Sequence, residues 1–213
     1  MQKLFAATRT PAESHIACQR RRWRMRDIDV RNALRRQVLK EHESDPSTLV
    51  VHELGVWGGI ARVDVAVING SIHGFEIKSD SDTLSRLSGQ ASAYNAVFDQ
   101  ITIVCGSHHL DNVMERVPEF WGVKVATSGP RGGITLRQQR FPKINRDINP
   151  VALSHLLWKE EALEILQTHG YADGVRSKSK AAIYARLAQA LPLEELRFEV
   201  RTRLKARLSW RSH

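Results

Sequence analysis

Arg62-Val63-Asp64-Val65-Ala66-Val67-Ile68-Asn69-Gly70-Ser71-Ile72-His73-Gly74-Phe75-Glu76-Ile77-Lys78 is the stretch whose reading decides the fold. Its apolar, β-branched character and its Asn-Gly centre describe two β-strands joined by a Gly-containing turn. Residues two apart in a strand share a face, so Glu76 and Lys78 point one way while Phe75 and Ile77 enter the core on the other. Asp64 interrupts the apolar run of the first strand. An acid on one strand, with an acid and a lysine on its neighbour, offers a hard-oxygen site for a cation beside a fixed positive charge.

The hairpin register tests that idea. A two-residue Asn69-Gly70 turn would pair Asp64 with Phe75 and put Glu76 on the opposite face from Asp64. The shared site therefore requires a three- or five-residue connection, or a bulge near Gly70 or Gly74, so that paired positions sum to an even number.

Two neighbouring features extend the pattern. Glu53, in Val50-Val51-His52-Glu53-Leu54-Gly55, is a third acid in an apolar run. Downstream, Gln90-Ala91-Ser92-Ala93-Tyr94 puts Gln90 and Tyr94 one helical turn apart on a shared face. The order Glu53, Asp64, Glu76, Lys78, Gln90, Tyr94 resembles the PD-(D/E)XK nuclease superfamily over roughly residues 49–106. The Gln90 and Tyr94 pair is similar to the Q-x-x-x-Y motif of its RecB-like branch, and Val63 stands where the signature has Pro. Within the superfamily, the chain is similar to a small bacterial family found among mobile-element and defence genes.

The resemblance implies a restriction-endonuclease-like core and metal-dependent hydrolysis of phosphodiester bonds, in DNA ahead of RNA. Phage defence, mobile-element and repair settings all fit it. Glu53, Asp64, Glu76 and the Ile77 carbonyl would hold Mg²⁺ or Mn²⁺. Lys78 would orient or deprotonate the water, and Gln90 would position water or phosphate. Arg62, Arg86 and Tyr94 would touch the nucleic acid. The competing reading is a nucleic-acid-binding module of this fold without turnover; a third is a structural protein whose basic tails recruit a partner.

The whole chain constrains these readings. It has 213 residues, 42% of them hydrophobic and 26% charged, which is globular composition. The formal net charge of +9 and a sequence pI near 10.0 attract phosphate backbones through counterion release. No apolar run approaches the ~20 residues of a membrane span, and the N-terminus lacks a secretory apolar core. Cys18 and Cys105 are too few for a disulfide framework, so a reducing cytoplasm is expected. A homodimer or a protein partner is left open by the residues.

Residues 1–26 form a basic arm with seven Lys or Arg and one acid, Glu13, and Met25 is an alternative start. Asp27 or Asp29 is expected to cap a helix running to about His42, with Arg31, Arg35, Arg36 and Lys40 directed away from its apolar side. Strands are expected at 48–56, 60–68, 100–106, 122–127 and 134–139, besides the one ending at Lys78. Helices are expected at about 82–97 and 110–117, and His108 and His109 read as loop residues. The strand at 100–106 follows a helix and should run parallel to an earlier strand.

Residues 27–140 thus form an α/β core, a mixed central β-sheet flanked by helices, and 141–150 read as a linker. Residues 150–213 form a helical C-terminal appendage: Leu153 to Leu166 on one helix, Ile183 to Leu191 on another, Leu196 to Leu208 on a third. Between Arg197 and Arg211 six basic residues face one acid, Glu199. Arg201 and Lys205 are the candidates there for duplex contact.

Overall fold

The computed structural model describes residues 24–130 and 132–207. The expectations for the arm at 1–23, for Cys18, for Leu208 and for Arg211 lie outside the described residues. The described residues open with α1 (Asp27–Leu34), a π-turn (Arg35–Leu39) and α2 (Lys40–Ser44). Arg26 takes the cap position, and Asp29, one turn in, accepts its backbone N–H at 3.0 Å.

A six-stranded mixed sheet follows, in the order β1 (Leu49–Val56), β2 (Ala61–Ile68), β3 (Ile72–Lys78), β4 (Gln100–Gly106), β5 (Gly122–Ser128) and β6 (Ile134–Arg140). β4 runs parallel to β3 and to β5, and the remaining neighbours are antiparallel. The crossover from β3 to β4 carries α3 (Leu87–Asn95), and that from β4 to β5 carries α4 (Leu110–Arg116).

The hairpin has the register that the shared face requires. Val65 pairs with Phe75, Ala66 with Gly74 and Ile68 with Ile72, leaving the three residues Asn69, Gly70 and Ser71 to connect the strands. Asn69 builds that connection: its side chain accepts the Ser71 N–H at 3.1 Å, and its own N–H donates to the Ser71 carbonyl at 3.0 Å. The side chain closes the turn that a bare Asn-Gly pair would have closed one residue shorter.

α3 begins five residues later than expected. Asp82 accepts Ser79 N–H at 2.7 Å and the Ser79 hydroxyl at 2.6 Å, closing a turn at the end of β3 ahead of the helix. The stretch 153–166 is likewise two helices, α5 (Pro150–Ser154) and α6 (Lys159–Thr168). Glu161 accepts the Trp158 N–H at 2.7 Å, which starts the second helix afresh. α7 (Lys180–Ala190) and α8 (Leu193–Ala206) complete the described residues. The stretch 141–149 is not a slack linker. Asn145 donates to the carbonyls of Asn95 at 2.7 Å and Phe98 at 3.0 Å, tying it to the end of α3.

Both sheet faces are covered. On one, Val65, Val67, Phe75, Ile77 and Val104 pack against Val30 and Leu34 of α1. On the other, Ala66, Ile68, Ile72, Ile101 and Ile103 share one apolar cluster with Tyr94 and Phe98 and with the C-terminal Leu153, Ile165, Ile183, Leu187, Leu196 and Val200. Asp99 fastens α8 to that face: it accepts the Ile72 N–H at 2.7 Å and meets Arg197 at 3.2 Å. Among the described residues no helix is long and apolar enough to cross a membrane.

Candidate functional site

The cleft is shaped by a change of face at one point of the sheet. In β1, Leu49 and Val51 enter the core, and so do Leu54 and Val56, although strict alternation would turn the second pair outward. The reversal falls on Glu53, whose φ of 56° lies in the left-handed region that side chains rarely adopt. The β1–β2 ladder steps from His52↔Val65 to Leu54↔Val63, so Glu53 and Asp64 are opposed outside it. The β2–β3 ladder ends at Val65↔Phe75, and Asp64 turns its carboxylate into the opening. There its Oδ2 accepts the Ile77 N–H at 2.7 Å, replacing a main-chain acceptor.

Arg31 of α1 reaches the same point. Its guanidinium donates to Asp64 Oδ1 at 2.8 Å, to the Asp64 carbonyl at 3.3 Å, to Glu53 Oε1 at 3.2 Å and to Asp27 Oδ1 at 3.2 Å. Three carboxylates therefore share one protein cation. This corrects the expectation that Arg31 points elsewhere. No local pattern marks it; the signal available was that acids set in an apolar sheet need a positive neighbour. Burial, and next the charge of Glu76, raise the Asp64 pKa to about 6 in spite of Arg31.

Beside it lies a second, closed network. Glu76 is 2% exposed and Lys78 7%. Lys78 Nζ donates to Glu76 Oε1 at 2.7 Å and to Gln90 Oε1 at 3.1 Å, while Gln90 Nε2 donates to the same Glu76 oxygen at 2.8 Å. The Tyr94 hydroxyl lies 2.7 Å from both Glu76 Oε2 and the Arg62 carbonyl, and its one proton serves one of them at a time. Burial, with Glu76 as the next cause, pushes the Tyr94 pKa up, so the phenol stays neutral.

The sequence thus brings Asp64, Glu76, Lys78 and Gln90 to the wall of a cleft of about 940 Å³ that Arg62 and Arg86 also line, with Tyr94 buried behind Glu76. Glu53 stands at its rim, half exposed and paired with Arg31 and Arg62. One assigned role does not survive: Tyr94 is 0% exposed and cannot touch a nucleic acid. Arg201 and Lys205, on α8, are half-exposed and lie outside the cleft lining. Of their basic neighbours, Arg197, Arg203 and Arg207 are bound to Asp99, Glu164 and Glu161, so these three cations are spent on internal pairing. His108 and His109 sit in a 3₁₀ turn, with His108 3.0 Å from Asp80.

Nor do the acids assemble as a metal cage. Among the described residues there is no group of three or more His, Cys, Asp or Glu placed to hold a metal ion. The carboxylate oxygens of Asp64 and Glu76 are already engaged by Arg31, Ile77, Lys78, Gln90 and Tyr94.

Comparison with known proteins places the chain in a phage family. The family model of bacteriophage P4 protein cII matches residues 25–213. Protein cII of Enterobacteria phage P4 is 30% identical over 146 residues, which is 68% of this chain and 54% of that protein. The chain therefore spans about half the length of this curated relative. No solved structure matches. These matches overturn the PD-(D/E)XK expectation: no nuclease family is indicated, and the predicted phosphodiester hydrolase goes with it. A buried Glu-Lys-Gln-Tyr network beside an arginine-bound aspartate explains the misleading motif, because side chains that complete one another in a core obey the same spacing as a catalytic set. The chain belongs to the bacteriophage P4 cII family.

Proposed function

We propose that this cII-family chain is a nucleic-acid-binding protein, with DNA ahead of RNA as its partner, working in the cytoplasm. One observation carries the reading: acids set in the fold are matched there by cations, while further Lys and Arg side chains of the described residues stand exposed. Asp64 is held by Arg31, Glu76 by Lys78, Asp99 by Arg197 and Glu161 by Arg207. Exposed cations remain along several segments, among them Arg36, Lys40, Arg86, Lys143, Arg146, Arg176, Lys178 and Lys180. Such a surface gains affinity by releasing counterions from phosphates, whatever the sequence of the bases.

The test is fluorescence anisotropy with labelled duplex DNA, single-stranded DNA and RNA at salt from 50 to about 200 mM. Binding whose logarithm falls linearly with log salt, strongest on DNA, is the expected result. Absence of binding to all three at the lowest salt overturns the reading.

A second reading concerns the cleft at Asp64. Arg31 already supplies one cation to Asp27, Glu53 and Asp64. Mg²⁺ or Mn²⁺ is proposed as a competing cation there, binding when Arg31 is drawn away.

A further inference from the structure

We infer that the cavity between the sheet edge and the C-terminal helices is a binding site for single-stranded nucleic acid, with Trp158 as the base-stacking platform and Lys180 as the phosphate contact. The proposal rests on the nucleic-acid reading above and assigns it a location. β1 is the outermost strand of the sheet, and a cavity of about 1130 Å³ opens between it and the segment His155–Trp158, Lys180 and Arg207. Pockets of roughly 300–1,000 Å³ enclose a drug-sized molecule, so this one has room for more than a single nucleotide.

Trp158 is 51% exposed on the wall of this cavity. The fold uses its backbone to start α6 but leaves the indole largely unpacked. One arginine steadies it: the Arg207 guanidinium sits 4.4 Å from the ring centroid and is itself held by Glu161 and by the Leu156 carbonyl at 2.8 Å. A half-exposed indole backed by a fixed cation is the arrangement on which unpaired bases stack.

The polar side of the cavity suits phosphate. Its lining carries Arg35, Lys180 and Arg207, with Glu43 as the one carboxylate, and Glu43 is bound to Arg35 at 3.0 Å. Lys180 opens α7, whose cap is Ser179, and its Nζ lies 5.4 Å from the Tyr184 ring centroid. Arg176 and Lys178 precede it in an exposed loop. His155, edge-on to Tyr184 at 4.6 Å, is kept toward its neutral form by burial and then by Lys180, so it offers a hydrogen bond and not a charge. A duplex keeps its bases stacked inside and cannot present one to Trp158; a single strand can.

The experiment compares wild type with Trp158→Ala, Trp158→Phe and Lys180→Gln, using anisotropy on a labelled twelve-nucleotide oligo-dT and on a twenty-base-pair duplex. Thermal melts by circular dichroism confirm that each variant is folded. Trp158→Ala is expected to weaken oligo-dT binding about tenfold or more, with Trp158→Phe recovering most of it and the duplex affected less. Lys180→Gln is expected to lower the single-strand salt slope by about 0.7, the share of one phosphate. If the wild type binds oligo-dT and the folded variants bind as well as it does, or lose duplex and single strand alike, the site is refuted while nucleic-acid binding stands. If the wild type binds the duplex but not oligo-dT, the site is refuted; if it binds neither, both readings fall.

Discussion

Glu76 and Lys78, two residues apart on β3, form an ion pair of 2.7 Å that is almost wholly out of water. Charges so placed depend on each other. Lys78→Met leaves the Glu76 carboxylate buried with only neutral donors and should cost about 3–5 kcal/mol, read by urea denaturation. Adding Glu76→Gln removes the orphaned charge and should recover most of that loss. If the double variant is as unstable as Lys78→Met, the pair is not what holds the cleft wall.

Two groups give the stability a concealed pH dependence. Asp64, raised to about 6 from 3.8, holds more protons folded than unfolded in between, so its contribution is complete below 3.8 and is lost as pH rises toward 6. His73 is lowered to about 4 from 6.5 by burial, then by His42 and Lys124; its contribution is complete above 6.5 and is lost as pH falls toward 4. Each slope is at most about 1.4 kcal/mol per pH unit, and the two oppose one another between about pH 4 and 6. These two contributions should largely cancel there. Asp64→Asn should unmask a rise with pH and His73→Gln a fall, both measured as denaturation midpoints across that range.

Divalent-ion binding at Asp64 has a direct check. Millimolar Mn²⁺ should raise the melting temperature of the wild type, more so in Arg31→Ala, and not at all in Asp64→Asn. An unchanged melt in all three proteins removes the ion from the cleft.

Gly122 is set by contact and not by backbone angle. A Cβ there would stand 2.6 Å from Thr102 Oγ1 and 2.8 Å from Pro142 Cδ, between β4 and the segment after β6. Gly122→Ala should cost about 1–3 kcal/mol by overpacking. At Gly70 nothing lies within 4 Å, and Gly70→Ala should change stability by no more than about 0.5 kcal/mol. Thermal melts of the two variants separate the cases.

The strands were legible because each is a short apolar β-branched run, and the hairpin register followed from requiring Asp64 and Glu76 to share a region. Placement of Glu76, Lys78, Gln90 and Tyr94 together was legible too, since strand and helix periods fix which side chains meet. Their meaning was not. Spacing reports convergence but not whether the groups face a ligand or one another, and here Tyr94 is sealed against Glu76. Arg31 escaped because its sheet partners Glu53 and Asp64 lie 22 and 33 residues away. Trp158 escaped because solvent exposure of an indole is a property of packing, with no periodic trace.

The apolar cluster that joins the sheet to the last four helices has a practical meaning for anyone shortening the gene. A product ending before Pro150 would expose Ile68, Ile72 and Ile101 as a greasy plane and leave Asp99 without Arg197, inviting aggregation. Sheet and helices should melt in a single transition, and neither half is a detachable cassette.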